Sequence, residues 1–203
     1  MKEYSIAEIF YSIQGEGYWA GTPMIFVRFA GCNLSCPWCD TDHEEKYRMS
    51  VKDIVSEIFE YPVASRICLT GGEPTLQVDD ALISALSSLS LAGSIHIETN
   101  GTNPVFNLFD WVTVSPKQGS EWKQKTGDEI KIVWNGQTEE ELSEIDTSGF
   151  DWCFLQPEAC YLPIPAFLQT ELVQARLDHL TSIIKDNPKW RLSLQLHKIL
   201  NLR

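Results

Sequence analysis

The chain has 203 residues, a formal net charge of −12, 43% hydrophobic and 22% charged residues. That length suits a single domain, 1–203, with a sizeable core, and no apolar run approaches the roughly 20 residues of a membrane span. The acidic balance and the absence of a Lys/Arg cluster argue against nucleic acid and anionic membrane as partners, since both call for a basic footprint.

The start, MKEYSIAEIF, lacks the charged-then-apolar pattern of a leader peptide, and the chain reads as cytoplasmic. MIFVRFAG (24–31) is apolar and β-rich, a strand leading into the run GCNLSCPWCDT (31–41). The spacing of apolar residues predicts a helix over 51–61, with Ser50 as N-cap and Asp53 in the first turn. A short buried strand follows at 66–70, ending at Gly71-Gly72, then a helix over 79–91, a strand at 94–100 and another at 110–117. EIKIVW (129–134) alternates as a strand does, 138–145 reads as a short acidic helix capped by Thr138, and WCFLQP (152–157) as a strand. The longest helical pattern spans 169–186, stopped by Asn187-Pro188, and RLSLQLH (191–197) reads as the last strand.

This alternation predicts an α/β fold with a mainly parallel sheet and helices on its outer face. At this length a partial, open parallel β/α barrel fits better than a closed eight-fold one. The polar and glycine motifs CNLSC, TGGEP, ETNG, SPK and QPE all lie just after strands. Active sites of parallel α/β folds gather at those strand ends, so the five clusters point to one shared site.

Six cysteines occur, at 32, 36, 39, 68, 153 and 160. Cys68 and Cys153 sit in apolar strand-like runs and read as buried hydrophobes. Cys32, Cys36 and Cys39 form C-x3-C-x2-C, a spacing that suggests metal or redox chemistry. Three arrangements suit it. His43 would complete a Cys3His zinc site; a distant cysteine would complete a four-thiolate cluster; or three thiolates hold a [4Fe–4S] cluster with one iron open to another ligand.

C-x3-C-x2-C on the loop after a first strand resembles the signature of the radical S-adenosylmethionine enzymes. In that superfamily the open iron binds the amino and carboxylate groups of S-adenosyl-L-methionine, and reductive cleavage gives a 5′-deoxyadenosyl radical. The cofactor carries the hard chemistry and the protein positions it. The resemblance implies that Trp38 packs near the adenine, with Cys39 and Asp40 beside it. It further implies that Gly72 and Glu73 hold the methionine end, that Glu98, Ser115 and Lys117 reach the ribose and carboxylate, and that Gln156 lies on the adenine side.

IFYSIQGEGYWAGTPMIFVRFAGCNLSCPWCDT (9–41) narrows the likeness: with TGGEP, ETNG, SPK and QLHK it resembles the 7-carboxy-7-deazaguanine synthases over essentially the whole chain. That family converts 6-carboxy-5,6,7,8-tetrahydropterin to 7-carboxy-7-deazaguanine with release of ammonia, on the way to deazapurines such as queuosine. The likeness places Ile13, Gln14, Gly15 and Glu16 on the amide and amino edge of the pterin. Arg28 would take its carboxylate, with Thr70, Gln195 and His197 as further contacts. It also implies Mg²⁺ on the Thr41 hydroxyl, a flavodoxin or ferredoxin as electron donor, and a homodimer. Relatives often end in proline with a terminal carboxylate that reaches the substrate, whereas this chain ends at Arg203. The competing readings are a small radical enzyme of other purpose, such as a glycyl-radical activase, and a non-enzymatic zinc or iron–sulfur protein.

Overall fold

The computed structural model describes residues 2–61, 66–89, 94–106, 108–158 and 171–202. Nine strands, β1 (Glu3–Ile13), β2 (Pro23–Phe29), β3 (Tyr47–Ser50), β4 (Arg66–Gly71), β5 (Ser94–Thr99), β6 (Trp111–Val114), β7 (Gly127–Trp134), β8 (Phe150–Pro157) and β9 (Trp190–Leu192), form one sheet. Its order is β3-β1-β2-β4-β5-β6-β7-β8-β9. From β2 to β9 every neighbouring pair is parallel, while β1 pairs antiparallel with both β2 and β3. The helices are α1 (Val51–Phe59), α2 (Asp80–Ser87), α3 (Glu139–Ser143), α4 (Glu171–Asp186) and α5 (Leu196–Ile199). This is the open parallel β/α barrel expected from the alternation.

The helices cover the outer face. Ile54 and Ile58 of α1 and Leu82, Ile83 and Leu86 of α2 pack against Ile25, Val27, Leu69 and Ile97 of the strands. Leu142 of α3 with Leu180 and Ile183 of α4 do the same against Ile130, Ile132 and Leu155. Burying each such side chain contributes about 1.5–3 kcal/mol. Ser50 and Asp53 cap α1 reciprocally, side chain to backbone in both directions, and Thr138 with Glu141 repeat the device on α3.

Because successive strand residues face opposite ways, the residues between those core positions line the inner, concave face. They are Arg28, Cys68 and Thr70, His96 and Glu98, Thr113 and Ser115, Glu129 and Lys131, and Gln156. Cys68 and Cys153 are both buried, as their apolar runs suggested. The loop after β1 folds across the N-terminal end of the barrel as a floor. There Tyr18 stacks on Trp111 at 4.9 Å and lies 4.8 Å from Trp152, and Trp19 lies 5.3 Å from both His96 and Trp111. Arg66 and Arg191 cover Trp19 and Trp152 at 4.2 and 3.9 Å.

Three elements differ from the sequence expectation. The 11-residue β1 and the short β3 carry no clear alternation and were not expected. The strand expected over 191–197 stops at Leu192. Beyond it Ser193 and Gln195 turn into the barrel and the chain forms α5, with Leu196 N–H donating to the Gly15 carbonyl at 2.9 Å. The expected helix over 169–186 is seen from Glu171, its first two residues lying outside the described residues, as do Cys160 and Arg203.

Candidate active site

The inner face and the loops at the carboxyl ends of the strands enclose a chamber of about 620 Å³. The cysteine loop forms one wall. Cys32 Sγ accepts from Leu34 N–H at 3.4 Å, and Asn100 Nδ2 approaches it to 3.9 Å. Hydrogen bonds to the sulfurs are a usual part of the surroundings of a protein-held iron–sulfur cluster. Burial pushes the Cys36 thiol up, and the nearby Lys117 ammonium works against that rise. Among the described residues, no three Cys, His, Asp or Glu side chains gather at the spacing of one bound ion. A cluster instead takes each thiolate on a different iron, and three thiols on one loop, with amide donors behind them, fit that group. His43 lines the same chamber and its carbonyl accepts from Gly31 N–H at 2.9 Å.

Behind the loop, Gly71 (φ +132°) and Gly72 bring two strand ends into contact. A Cβ on Gly72 would collide with the Gly31 carbonyl, so only glycine lets β4 close against the cysteine loop. Glu73, expected at the methionine end of the cosubstrate, is fully buried and its side chain is directed into the protein. Its carboxylate accepts from Thr75 N–H (3.0 Å), Thr75 Oγ1 (2.5 Å), Thr99 Oγ1 (2.7 Å) and Asn100 N–H (2.7 Å). It thus ties the end of β4 to that of β5, and the neighbour it positions, Asn100, is the one that meets the cysteine loop. Ser115 and Lys117 do line the chamber. Lys117 Nζ donates to Ser115 Oγ at 2.7 Å and sits 5.5 Å from the centre of the Trp38 ring. Gln156 is buried in the wall, its Oε1 accepting from Ser193 Oγ at 2.8 Å.

Deeper in the chamber the SIQGEG turn meets the inner strands. Gln14 Nε2 donates to Glu98 Oε1 and Thr70 Oγ1 to Glu98 Oε2, both at 2.9 Å. Glu98, expected among the cosubstrate contacts, is therefore grouped with Gln14 and Thr70; its place on β5 sets it two residues below Asn100 on the inner face. Glu16 pairs with the buried Lys131 and accepts from Gln195 Nε2 at 2.9 Å. Burial alone would raise the Glu16 carboxyl, but the Lys131 charge and these hydrogen bonds outweigh it and hold the group at about 2. Arg28 Nε donates to Glu8 Oε1 at 2.9 Å, which leaves the outer edge of its guanidinium fork available to a carboxylate. Thr41 lines the chamber with its Oγ1 3.5 Å from Asp40 Oδ1, and Ile13 lies at its rim.

The tail closes over this wall. Asp40 Oδ2 accepts from Gln195 Nε2 at 3.2 Å and pairs with Lys198, which links the cysteine loop to α5. Burial lowers the His197 imidazole, and the Glu16 carboxylate opposes that change. A Cβ on Gly15 would strike the His197 ring and its backbone nitrogen. Gly15→Ala is accordingly expected to cost about 1–3 kcal/mol, as an overpacked contact does, and to raise the substrate KM by displacing α5. Thermal unfolding and steady-state kinetics read the two effects separately.

Glu8, Asn100, Glu129 and Lys131 were not singled out from the sequence. The signal for the last two was present in EIKIVW: with Ile130, Ile132 and Trp134 under the helices, Glu129 and Lys131 had to face the barrel interior.

Comparison with known proteins matches residues 26–121 to the Radical SAM superfamily. The 7-carboxy-7-deazaguanine synthase of Bacteroides thetaiotaomicron is 44% identical over 199 residues, covering 98% of both chains. The chain belongs to the 7-carboxy-7-deazaguanine synthase family. The synthase of Burkholderia multivorans is 34% identical over 98% of this chain and 99% of its own. The crystal structure of QueE from Escherichia coli superposes with a TM-score of 0.70 at 28% identity, covering 96% of this chain and 95% of that one. As a radical S-adenosylmethionine enzyme of this family, the chain works with a [4Fe–4S] cluster and S-adenosyl-L-methionine.

Proposed function

We propose that the chain acts as one unit, 1–203, that converts 6-carboxy-5,6,7,8-tetrahydropterin to 7-carboxy-7-deazaguanine and ammonia, in the synthesis of deazapurines such as queuosine. The observation that carries this reading is the joining of two sets of residues in one chamber. The three-cysteine loop lies at its mouth, and a set of acceptors from the SIQGEG turn and β5 lies at its base. When bound, the cluster and S-adenosylmethionine supply the 5′-deoxyadenosyl radical that begins the rearrangement.

Cys32, Cys36 and Cys39 hold the cluster, and Trp38, Asp40, Gly72, Ser115, Lys117 and Gln156 form the cosubstrate wall. Gln14, Glu16 and Glu98 accept from the N–H groups of the pterin edge, and Ile13 and Gly15 shape the approach. Arg28 meets the substrate carboxylate, Thr70 adds a polar contact beside Glu98, and Gln195 and His197 close the site from the tail. A site built to hydrogen-bond such an edge rejects analogues that lack it. Mg²⁺ on Thr41 completes the carboxylate site; this ion often takes only one or two protein oxygens. Arg203 is a further contact to the substrate. A homodimer, a flavodoxin or ferredoxin as donor, and a cytoplasmic setting complete the reading. Among the described residues, no helix is long and apolar enough to cross a membrane.

The test is anaerobic turnover of iron–sulfide reconstituted protein with S-adenosylmethionine, Mg²⁺, a strong reductant and the carboxytetrahydropterin. Deoxyadenosine and deazaguanine are followed together by mass spectrometry, and both are expected. Chelating Mg²⁺ is expected to lower deazaguanine formation by about tenfold or more, since the ion supplies charge to a carboxylate site. Deoxyadenosine without deazaguanine would remove the substrate assignment and leave the cysteine site standing.

A further inference from the structure

The inner face of β7 carries a charge arrangement that the substrate contacts do not account for. Lys131 is 5% exposed, and its Nζ donates to Glu16 Oε2. Glu98 on β5 and Glu129, two residues earlier on β7, face the same ammonium, so three carboxylates surround one cation. From the other elements packed here, Cys68 of β4, Lys117 after β6, His197 of α5 and Asp40 of the cysteine loop also bear on this group.

Each carboxylate is held differently. Glu16 has Lys131 on one oxygen and Gln195 on the other. Glu98 takes Gln14 and Thr70, and Glu129 takes Tyr18 N–H at 3.0 Å. An oxygen with one donor keeps a second lone pair for a ligand. An ionised carboxylate only accepts, whereas a protonated one presents a donor. The pterin edge offers adjacent N–H groups, so it matches both oxygens of Glu16 only in the ionised form. Burial works against that form, and the ammonium of Lys131 is what restores it. Three carboxylates around one ammonium carry a net charge of −2, which favours a proton on one of them. Lys131 is within ion-pair distance of Glu16, and of the other two carboxylates Glu98 accepts from two side chains while Glu129, next to a one-water cavity of about 10 Å³ on the floor side, accepts from the Tyr18 backbone. Burial pushes its carboxyl up to about 7.

Resting on the pterin reading above, we infer that Lys131 is a positioning and specificity residue: it holds Glu16 ionised and aimed at the donor edge of the substrate, while Glu129 beside it carries the spare proton. The substrate class this selects is a heterocycle with adjacent amide and amino N–H donors.

The test is Lys131→Met in the reconstituted holoenzyme, with kinetics taken across the neutral and mildly alkaline range. The KM for the carboxytetrahydropterin is expected to rise about 10–100-fold at neutral pH, the worth of a hydrogen bond to a charged group. The KM for S-adenosylmethionine stays as in wild type. In wild type the pterin KM is level with pH in this range, because Glu16 is ionised throughout. In the variant Glu16 titrates at higher pH, so KM falls as pH rises. Glu16→Gln and the double variant Glu16→Gln/Lys131→Met are expected to behave alike, since Lys131 acts through Glu16.

A wild-type pterin KM in Lys131→Met, a raised KM that is level with pH, or losses that multiply in the double variant would each overturn the inference. If Lys131→Met does not fold, Glu129→Gln/Lys131→Met removes one carboxylate with the ammonium and carries the same comparison. A wild-type enzyme that cleaves S-adenosylmethionine yet leaves the pterin untouched would overturn the substrate reading itself. An active wild type with an unaffected Lys131→Met overturns this inference alone.

Discussion

Alanine at Cys32, Cys36 or Cys39 is expected to reduce deoxyadenosine formation to below about one-hundredth of wild type. Loss of an outer partner of a metal site already costs about 10–100-fold, and these thiols are the proposed ligands themselves. The fold should survive, because the three side chains lie on a loop and none belongs to the buried core clusters. Thermal unfolding of the apo-proteins is therefore expected to coincide with wild type, while iron content and the visible absorption of the reconstituted protein collapse. Full turnover by any of the three variants would remove the three-thiolate site. Stoichiometric zinc in the wild type, with no cleavage of S-adenosylmethionine, would favour the Cys3His alternative.

Glu73→Ala is expected to act in the opposite way, on the fold first and on the chemistry through it. Its carboxylate receives four protein donors in a site closed to solvent. Truncation leaves the Thr99 hydroxyl, the Asn100 amide and both Thr75 donors facing a void. Each buried group left unmatched costs about 1–3 kcal/mol, and allowing for relaxation the total is expected at about 3–5 kcal/mol. Glu73→Gln should recover only part of it, because an amide turns one acceptor into a donor that points at donors. The midpoint of denaturant unfolding should fall with little change in slope. Asn100 would lose its anchor, and with it the contact to Asn33 of the cysteine loop at 3.0 Å. A Glu73→Gln protein as stable as wild type would show that this carboxylate does not bind the strand ends together.

The contrast between these residues shows what the sequence carried. The cysteine loop, the paired glycines and the parallel strands are local signals: spacing, a φ only glycine tolerates, and apolar periodicity. They were legible, and so was the gathering of motifs at one end of the sheet. β1 was not, because the pairing register shifts between Ile6 and Glu8, and Ile6 and Ala7 are consecutive buried residues. A period of two breaks at such a bulge. The tail misled for another reason. RLSLQLH alternates as a strand would, yet Ser193 and Gln195 are the buried residues and Leu192 is exposed. The interior they face is a polar chamber, so the usual equation of apolar with inside reverses there. The tie that Glu73 makes between strands was hidden because two of its four donors, from Thr99 and Asn100, lie on β5 and in the turn after it, and a contact 26 residues away leaves no mark on either segment.

The aromatic floor has one more consequence. The chain holds seven tryptophans, and Trp19, Trp111 and Trp152 sit within about 5 Å of Tyr18 or of one another. Rings locked in so asymmetric a stack give a near-ultraviolet circular dichroism that vanishes once fixed packing is lost. The turn that carries Tyr18 also carries Gln14 and Glu16. The protein thus contains its own optical gauge, unlabelled, of whether the base of the chamber is assembled.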